Sequence, residues 1–451
     1  MLDCLKCKGK KAAWLEPKNK FEADAKIHLP GLHKQMSIQE HLDRNEGLLR
    51  HTSIVFIAAL ISNGFNYIYQ LFMGRTLGPE QYGVLGSLFS MIYVITVINC
   101  TVLWVVSRYV TQYNVRKEYG KIKTLILNVL RIMLLIGAGG FILMIVGSGV
   151  IANFLHIDRI PVILVACFGY LTLFSPALSG TLNGLQRFTR SSFVGMSGTF
   201  VKLVLGIALV YAGFGVVGAM CAVLAAAVVS LALNLYCTRD ILLSKATSIK
   251  KLNIFRYSSS VLFGSLLLII LINIDLILVK HFMPAAVAGN YAALTTIGKI
   301  ILFASSPISG VMFPKVAALY EKKKATGTIL KNALFYTILI TSAGVICYFA
   351  IPGFLANILF GKTYTIAQFM GWYALAIAFY SLNNLLVWYN LARKRSRFIL
   401  LIGICLGIEI FAIALFHNTI MDVVKIMVVV NATLFVMQLM TVSKALVVNH
   451  A

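Results

Sequence analysis

Charged residues are scarce in this sequence, and acidic residues are the scarcest. Among 451 residues there are 15 Asp and Glu against 40 Lys and Arg, and charged residues of both signs make up 12%. A water-soluble domain carries about twice that share of charge. Hydrophobic residues make up 59% of the chain, and the mean hydropathy is +0.86. This composition excludes a soluble globular protein and predicts a chain whose main solvent is lipid.

Motifs for catalysis and cofactor binding are also missing. The CxxC pair of Cys4 and Cys7 has no second ligand pair at metal-site spacing. Residues 361–363 (Gly-Lys-Thr) resemble the end of a P-loop, but Ala356 stands where its first glycine would be. The histidines form no metal-binding or catalytic pattern. We therefore expect no enzyme activity, no metal and no cofactor.

Long apolar segments recur along the chain after residue 50. A transmembrane helix takes about 20 apolar residues, and twelve such segments follow one another with short connections. They are residues 54–74, 83–107, 125–149, 160–184, 193–212, 214–237, 258–280, 289–313, 330–351, 368–391, 397–416 and 421–446. The sequence predicts an all-α polytopic membrane protein with about twelve transmembrane helices.

Positive charge alternates between successive connections. Five Lys and Arg lie in one set of loops or at the adjoining span ends, and Arg131, Lys202 and Lys299 lie well inside predicted spans; the other 32 of the 40 lie in the N-terminal tail, the other loops with the span ends that adjoin them, and the C-terminal end. The five are Arg75, Arg159, Lys280, Lys362 and Lys425. Because Lys-rich and Arg-rich loops face the cytoplasm, both termini are predicted to be cytoplasmic, in the cell membrane. The net charge of +25 is thus a topology signal, and no nucleic-acid partner is expected.

The two halves of the chain resemble each other at an offset near 205 residues. Ala-Asn-Phe-Leu at 152–155 recurs as Ala-Asn-Ile-Leu at 356–359, and the basic turn around Arg187 recurs around Arg393. Because each half holds six spans, both halves begin on the same side of the membrane and the repeats are parallel. Parallel repeats of this kind form two lobes around a central cavity.

The repeat and the charge pattern divide the chain into four parts. Residues 1–50 form a basic cytoplasmic tail in which 36–49 could form a short amphipathic helix on the inner leaflet. The other parts are a six-helix lobe (51–240), a basic cytoplasmic linker (241–256) and a second six-helix lobe (257–451).

Lysines inside the spans are the first candidates for a transport site. A charge at the bilayer centre costs about 2.5 to 3.5 kcal/mol on insertion scales, so such residues face protein or water. Lys299 lies ten residues into the eighth span and Lys202 nine residues into the fifth. We expect both to line the cavity and bind an anion. The Ser-Ser-Pro at 305–307 predicts an interrupted helix with exposed backbone groups near Lys299.

Three arginines are further candidates for the cavity. Arg131 lies about a turn and a half inside the third span, and Arg108 and Arg75 lie at span ends. For each, snorkelling of the side chain to the lipid headgroups is the alternative.

Two carboxylates, Glu409 and Asp275, are the candidates for binding a coupling ion. Glu409 and Lys202 occupy near-equivalent positions in the two halves. They either form a structural ion pair between the lobes or act separately. Asp275 could instead pair with Lys280, five residues further on.

Short motifs in the chain resemble those of a known family. They are Phe-Met-Gly-Arg-Thr-Leu-Gly-Pro-Glu-Gln-Tyr-Gly at 72–83, Ser-Arg-Tyr-Val at 107–110, Gly-Leu-Gln-Arg-Phe at 184–188 running into Val-Lys-Leu-Val-Leu at 201–205, and Leu-Phe-Gly-Lys-Thr-Tyr at 359–364. With these motifs, nearly everything after residue 50 resembles the Wzx-like polysaccharide-biosynthesis flippases of the multidrug/oligosaccharidyl-lipid/polysaccharide (MOP) exporter superfamily. The chain departs from larger relatives in having twelve spans rather than fourteen.

This resemblance implies a fold, a cargo and partners. The fold would be MATE-like, and the cargo a lipid-linked oligosaccharide, that is, a sugar on a polyprenyl phosphate or diphosphate. It would be flipped from the cytoplasmic to the outer leaflet by alternating access, for polysaccharide or glycan biosynthesis. Membrane lipids and glycan-assembly proteins are the partners that the resemblance suggests.

Two other functions compete with flipping. A cation-coupled multidrug antiporter of the same superfamily is expected to need a carboxylate in its N-terminal lobe. The first six spans hold no Asp or Glu, although Asp275 or Glu409 could serve in the second lobe. A membrane glycosyltransferase usually has long outer loops with clustered charges, whereas the longest one here, 352–367, has only Lys362.

Overall fold

The computed structural model describes residues 30–248, 255–322 and 324–447. The chain divides into two compact units, Met1–Ser53 and Ile54–Ala451. In the first unit the backbone is helical from Pro30 onward. Three of the predicted assignments lie outside the described residues and stay predictions. They concern the tail before residue 30, the side chains of the amphipathic helix predicted over 36–49, and the linker residues 249–254.

The described residues form fourteen α-helices and no strand, which confirms the all-α prediction. They are α1 (Pro30–Val115), α2 (Tyr119–Leu155), α3 (Arg159–Thr172), α4 (Ser175–Gly184), α5 (Phe188–Tyr211), α6 (Gly215–Leu242), α7 (Phe255–Leu271), α8 (Ile274–Phe282), α9 (Ala285–Glu321), α10 (Gly327–Ala350), α11 (Pro352–Phe360), α12 (Ala367–Ala392), α13 (Arg397–Leu415) and α14 (Ile420–Val447).

Twelve membrane crossings follow from these helices. Within the described residues, eleven helical segments are long and apolar enough to cross a membrane. The first, Ile57–Val115, has 59 residues and is interrupted at Gly78, where φ is 71° and ψ is 173°. Pro79 then begins a new helix, for which its fixed φ suits it. Because each half of this segment is long enough to cross, the count agrees with the twelve predicted spans.

Two of the predicted spans, 160–184 and 258–280, consist of two helices each, and the short helix α11 follows α10 in the predicted outer loop 352–367. Pro176 stands in the first turn of α4 and Pro352 in the first turn of α11, so each proline marks where one helix stops and the next starts. Between α7 and α8 the break lies at Asn273, whose side-chain amide donates to the Ile269 carbonyl oxygen at 2.8 Å. Such breaks are tolerated at membrane depth because protein groups satisfy the freed backbone atoms.

The predicted interruption at Ser305, Ser306 and Pro307 is wrong, because α9 runs through it without a break. Pro307 has no N–H to donate to the carbonyl oxygen of Phe303, four residues earlier. The Ser306 hydroxyl donates to that carbonyl at 3.2 Å. The hydroxyl therefore replaces the missing backbone hydrogen bond, and the helix continues.

The helices of Ile54–Ala451 group into two lobes. Helices α2 to α6 pack mainly against one another, and α7 to α14 do the same. The first half of α1 joins the N-terminal lobe through Tyr69, whose hydroxyl donates to the Ala219 carbonyl oxygen of α6 at 3.0 Å. The repeat is visible in the turns, since Gln186 and Lys394 both adopt positive φ, at 59° and 55°. The two-lobe fold predicted from the sequence is confirmed.

Candidate functional site

A cavity of about 940 Å³ lies between the two lobes. The N-terminal lobe supplies most of its walls, and the C-terminal lobe supplies Leu276 and six residues of α9. The end of the bundle with the Lys-rich and Arg-rich connections is termed the basic end, and the other is the opposite end. The cavity extends from mid-bundle toward the basic end, since its lining includes Asn99, Cys100 and Leu103 of α1 and Gly195, Gly198, Thr199 and Lys202 of α5.

The two lobes are in close contact at the opposite end. Gly289 of α9 packs so tightly on α1 that a Cβ atom added to it would lie 1.7 Å from the Pro79 carbonyl oxygen. The Tyr364 hydroxyl donates to the Gly74 carbonyl oxygen at 2.6 Å. Only residues without bulky side chains allow the two backbones to approach this closely. The opposite end of the cavity is thereby closed.

Arg75 belongs to this closed end and does not line the cavity. Its Nε donates to the Leu359 carbonyl oxygen at 3.1 Å, and its Nη2 donates to the Ile358 carbonyl oxygen. The side chain is exposed. Nearby, the Phe154 and His281 rings stack across the lobes with centroids 3.9 Å apart. The structure therefore places Arg75 in an interlobe contact, where sequence reasoning expected a binding group.

Lys202 on α5 lines the cavity from the N-terminal lobe, as the sequence predicts. Its ammonium donates a hydrogen bond to Asn66 Oδ1 and lies 4.6 Å from the centre of the Tyr69 ring. An aromatic face and an amide oxygen orient an ammonium group without neutralising it. Among the described residues, Lys202 therefore lines the cavity without an acidic partner.

Lys299 on α9 lines the same cavity from the C-terminal lobe. Its ammonium donates to Asn273 Oδ1 at 2.9 Å and lies 5.0 Å from the centre of the Tyr93 ring. Asp275 lies within electrostatic range, but it forms no ion pair with Lys299 among the described residues. The two lobes therefore each present one lysine to one cavity.

Apart from these lysines, neutral side chains line the cavity. No Asp or Glu stands among the described residues of its walls. The polar ones include Asn63, Asn66, Gln70, Asn99, Thr172, Ser175, Ser179, Ser230 and Thr295. Amide and hydroxyl groups can both donate and accept hydrogen bonds. The arrangement is suited to an anion that also carries many hydroxyl groups.

Asp275 and Glu409 lie inside the C-terminal lobe, and neither lines the cavity. Both are fully buried. Asp275 accepts a hydrogen bond from the Tyr291 hydroxyl at 2.7 Å, whereas neither carboxyl oxygen of Glu409 has a partner among the described residues. No ion pair in the described chain joins Glu409 to Lys202 or Asp275 to Lys280. The two carboxyls instead lie within electrostatic range of each other.

Arg108 and Arg131 are exposed and lie outside the walls of the cavity. Arg131 is on α2, and Arg108 is near the basic end of α1. The structure thus brings together only Lys202 and Lys299 of the five predicted cations. Whether the other three contact cargo stays a prediction.

The aromatic rings beside the two lysines were not predicted from the sequence. Phe89 lies 5.8 Å from the Lys202 ammonium, and Tyr93 lies below Lys299. The two rings are four residues apart in α1, which places them on one face of the helix. That spacing was the available signal, but nothing in the sequence linked it to lysines on α5 and α9.

The fold and the cavity define a multi-pass membrane protein with two parallel lobes around a central site. The sequence matches the family described as "Polysaccharide biosynthesis protein" over residues 72–369, and the chain belongs to that family. No protein with a curated description matches the sequence significantly.

Solved structures of MATE transporters share the fold. An inward-facing multidrug resistance MATE transporter of the MOP superfamily is 16% identical, covers 86% of this chain and 96% of its own, and has a TM-score of 0.73. An outward-facing MATE transporter is 18% identical and covers 88% and 96%, with a TM-score of 0.61. A MOP superfamily transporter from Pyrococcus furiosus, described as having a binding pocket of reverse polarity, is 16% identical and covers 88% and 95%, with a TM-score of 0.60.

Proposed function

We propose that this protein flips a lipid-linked oligosaccharide from the cytoplasmic to the outer leaflet of the cell membrane for polysaccharide or glycan biosynthesis. The observation that carries the proposal is the charge of the central cavity. Lys202 and Lys299 line it from the two lobes, and no acidic side chain lies among its described walls. A phosphate or diphosphate headgroup is the anion that such a membrane cavity would bind, because lysine is a common phosphate ligand. Family membership supports the saccharide part of the cargo.

Alternating access is the proposed mechanism. By the positive-inside rule, the basic end faces the cytoplasm. The cavity extends toward that end and is sealed at the other. The headgroup would enter from the cytoplasm and contact Lys202 and Lys299. Separation of the lobes at the opposite end would then release it to the outer leaflet, while the polyprenyl chain stays in lipid. The cargo is moved without a chemical change, so no catalytic residue is proposed.

Asp275 and Glu409 are the proposed site for a coupling cation. Glu409 has no partner among the described residues, and Asp275 accepts only the hydrogen bond from Tyr291. A carboxyl group buried without an ion-pair partner is stable only when it holds a proton or a cation. This pair is also the one observation that favours the competing function, a cation-coupled multidrug antiporter. Two lysines facing the cavity oppose that alternative, because they would repel an organic cation.

The test is transport by purified protein in liposomes. We expect flipping of a fluorescent polyprenyl diphosphate-linked oligosaccharide and no export of organic cations. Lys299→Gln and Lys202→Gln should each slow flipping about tenfold or more, because a hydrogen bond to a charged group contributes about 1.5 to 3 kcal/mol. Lys362→Gln is the matched control, since it removes the same charge from an exposed residue outside the cavity.

The proposal is wrong if the wild-type protein exports organic cations and leaves the lipid-linked oligosaccharide in place. The assignment of the cavity alone is wrong if Lys299→Gln and Lys202→Gln flip cargo as fast as Lys362→Gln.

A further inference from the structure

A second cavity, the side pocket, opens beside the central one at the basic end. It has a volume of about 600 Å³. Its walls come from both halves of α1, the end of α4, the turn that follows it, and the start of α5. They are Val55, Ala58, Ala59, Ser62, Trp104, Ser107, Thr111, Asn183, Gln186, Phe188, Ser191, Ser192 and Gly195. Gly195 also lines the central cavity, so the two spaces adjoin.

The chemistry of the side pocket differs from that of the central cavity. Seven of its thirteen lining residues carry a hydroxyl or an amide, and none is charged. Arg187 of the turn and Arg190 of α5 both have partners outside the pocket: Arg187 pairs with Asp240 at 2.6 Å, and Arg190 donates to the Cys237 carbonyl oxygen at 3.3 Å. A phosphate would lack a cation here, and a polyprenyl chain would meet polar groups on most sides. The pocket suits an uncharged, polar ligand.

Several polar groups in the side pocket are free to bind such a ligand. The side chains of Ser62, Asn183, Gln186, Ser191 and Ser192 form no hydrogen bond with another residue in the part of the chain that the structure describes. Their donors and acceptors can therefore pair with hydroxyl groups, because amides and hydroxyls offer both roles.

Trp104 adds an aromatic face to these polar groups. Its side chain lines the side pocket and is 69% exposed, so most of the indole is uncovered by protein. Sugar rings have an apolar face of C–H groups that packs on an aromatic ring, and hydroxyl edges that need hydrogen bonds. A large rigid ring beside free amides and hydroxyls matches both requirements.

From this arrangement we propose that the side pocket binds the neutral sugars of the cargo while Lys202 and Lys299 bind its phosphate. The inference rests on the proposed function and specifies where the saccharide lies. Along α5, Gly195 is seven residues from Lys202, a distance of about 10 Å. The sugars next to the phosphate would therefore extend from the central cavity toward the basic end and rest on Trp104.

The test compares two probes on the purified full-length protein: polyprenyl diphosphate alone, and polyprenyl diphosphate linked to a neutral disaccharide. We expect the wild-type protein to bind the disaccharide-bearing lipid more tightly. Trp104→Ala and Asn183→Leu should each weaken that binding about two- to tenfold, the range expected for one lost contact or neutral hydrogen bond. Neither variant should change the affinity for the bare lipid. Trp372→Ala, on α12 outside both pockets, is the matched control.

Three results would overturn the inference. The first is that the wild-type protein binds both probes equally. The second is that both variants bind the disaccharide-bearing lipid as tightly as Trp372→Ala does. The third is that the variants lose affinity for the two probes alike. In the last case the pocket holds the lipid rather than the sugar. If the wild-type protein binds neither probe, the proposed function fails together with this inference.

Discussion

At the residue scale, each candidate group is held by neighbours that define what it can bind. Lys202 and Lys299 each contact an amide oxygen and an aromatic ring. Neither lysine forms an ion pair with another described residue. An acidic partner would neutralise the charge, whereas these contacts only orient it. Both lysines are therefore available to a phosphate that enters the cavity.

Glu409 offers a sharp prediction at this scale. Glu409→Gln keeps the size of the side chain but removes its ability to hold a proton or a cation. We expect the dependence of flipping on a sodium or proton gradient to disappear, while the affinity for polyprenyl diphosphate changes by less than about twofold, because Glu409 does not line the cavity. Transport driven by each gradient and equilibrium binding provide the two measurements.

The matched control for this variant is Glu80→Gln, which changes an exposed carboxylate. Unchanged gradient dependence in Glu409→Gln would show that the buried carboxyl has no part in coupling. Loss of cargo affinity would instead assign Glu409 to the binding site.

Sequence reasoning could identify the ionisable residues but not all of their partners. A charged residue inside an apolar span is a candidate functional residue because its transfer into the bilayer costs free energy. For this reason Lys202 and Lys299 could be identified as candidates from the sequence alone. The sequence does not indicate that Lys299 would lie beside Asn273 or that Asp275 would accept a hydrogen bond from Tyr291. Such contacts depend on helix rotation, which hydropathy does not determine.

At the element scale, glycines on α1 and α9 allow the lobes to close at the opposite end. An added Cβ on Gly83 would lie 2.8 Å from the Gly289 backbone nitrogen, and one on Gly86 would lie 2.9 Å from the Ala292 Cβ. These helices therefore meet backbone to backbone, without side chains between them. Two helices in such contact can be either packed together or separated, so the contact can act as a gate with a closed and an open state.

Gly289→Ala should disfavour the closed opposite end, because the new methyl group overlaps the Pro79 carbonyl oxygen. Overpacking costs about 1 to 3 kcal/mol, so the population should shift about 5- to 150-fold toward a state open at that end. The measurement is labelling of Cys100, an exposed thiol in the cavity, in a variant in which the other seven cysteines are replaced. An impermeant thiol reagent should label it more slowly from the basic side and faster from the other.

Gly310→Ala is the control on the same helix, because an added Cβ there meets no atom within 4 Å. If Gly289→Ala and Gly310→Ala label alike from both sides, the glycine contact is not the gate.

Most of the helices could be predicted from the sequence. Errors occur where side-chain hydrogen bonds determine whether a helix continues or breaks. Twelve spans and their order follow from apolar length alone. Proline gave a misleading signal in α9 because the Ser306 hydroxyl takes over the hydrogen bond that Pro307 cannot make. At Gly78 the glycine and the following proline together do break the helix. A single proline was thus too little information to locate an interruption.

At the scale of the whole molecule, two parallel lobes share one cavity that is sealed at one end. Residues from both lobes form the seal, including the stacked rings of Phe154 and His281. If transport requires the lobes to part there, a covalent link across the seal must stop it. A covalent link inside one lobe at the same end should leave transport unchanged.

The most direct test of this account is flipping of the lipid-linked oligosaccharide by Phe154→Cys/His281→Cys, linked by a short cleavable bifunctional thiol reagent in a background without native cysteines. Phe282 and His417, whose rings stack at 4.2 Å within the C-terminal lobe, provide the control pair Phe282→Cys/His417→Cys. We predict that the interlobe link reduces flipping to the level of protein-free liposomes, that cleavage restores it, and that the control link has little effect. Equal flipping with the interlobe link intact and cleaved would contradict alternating access between the lobes.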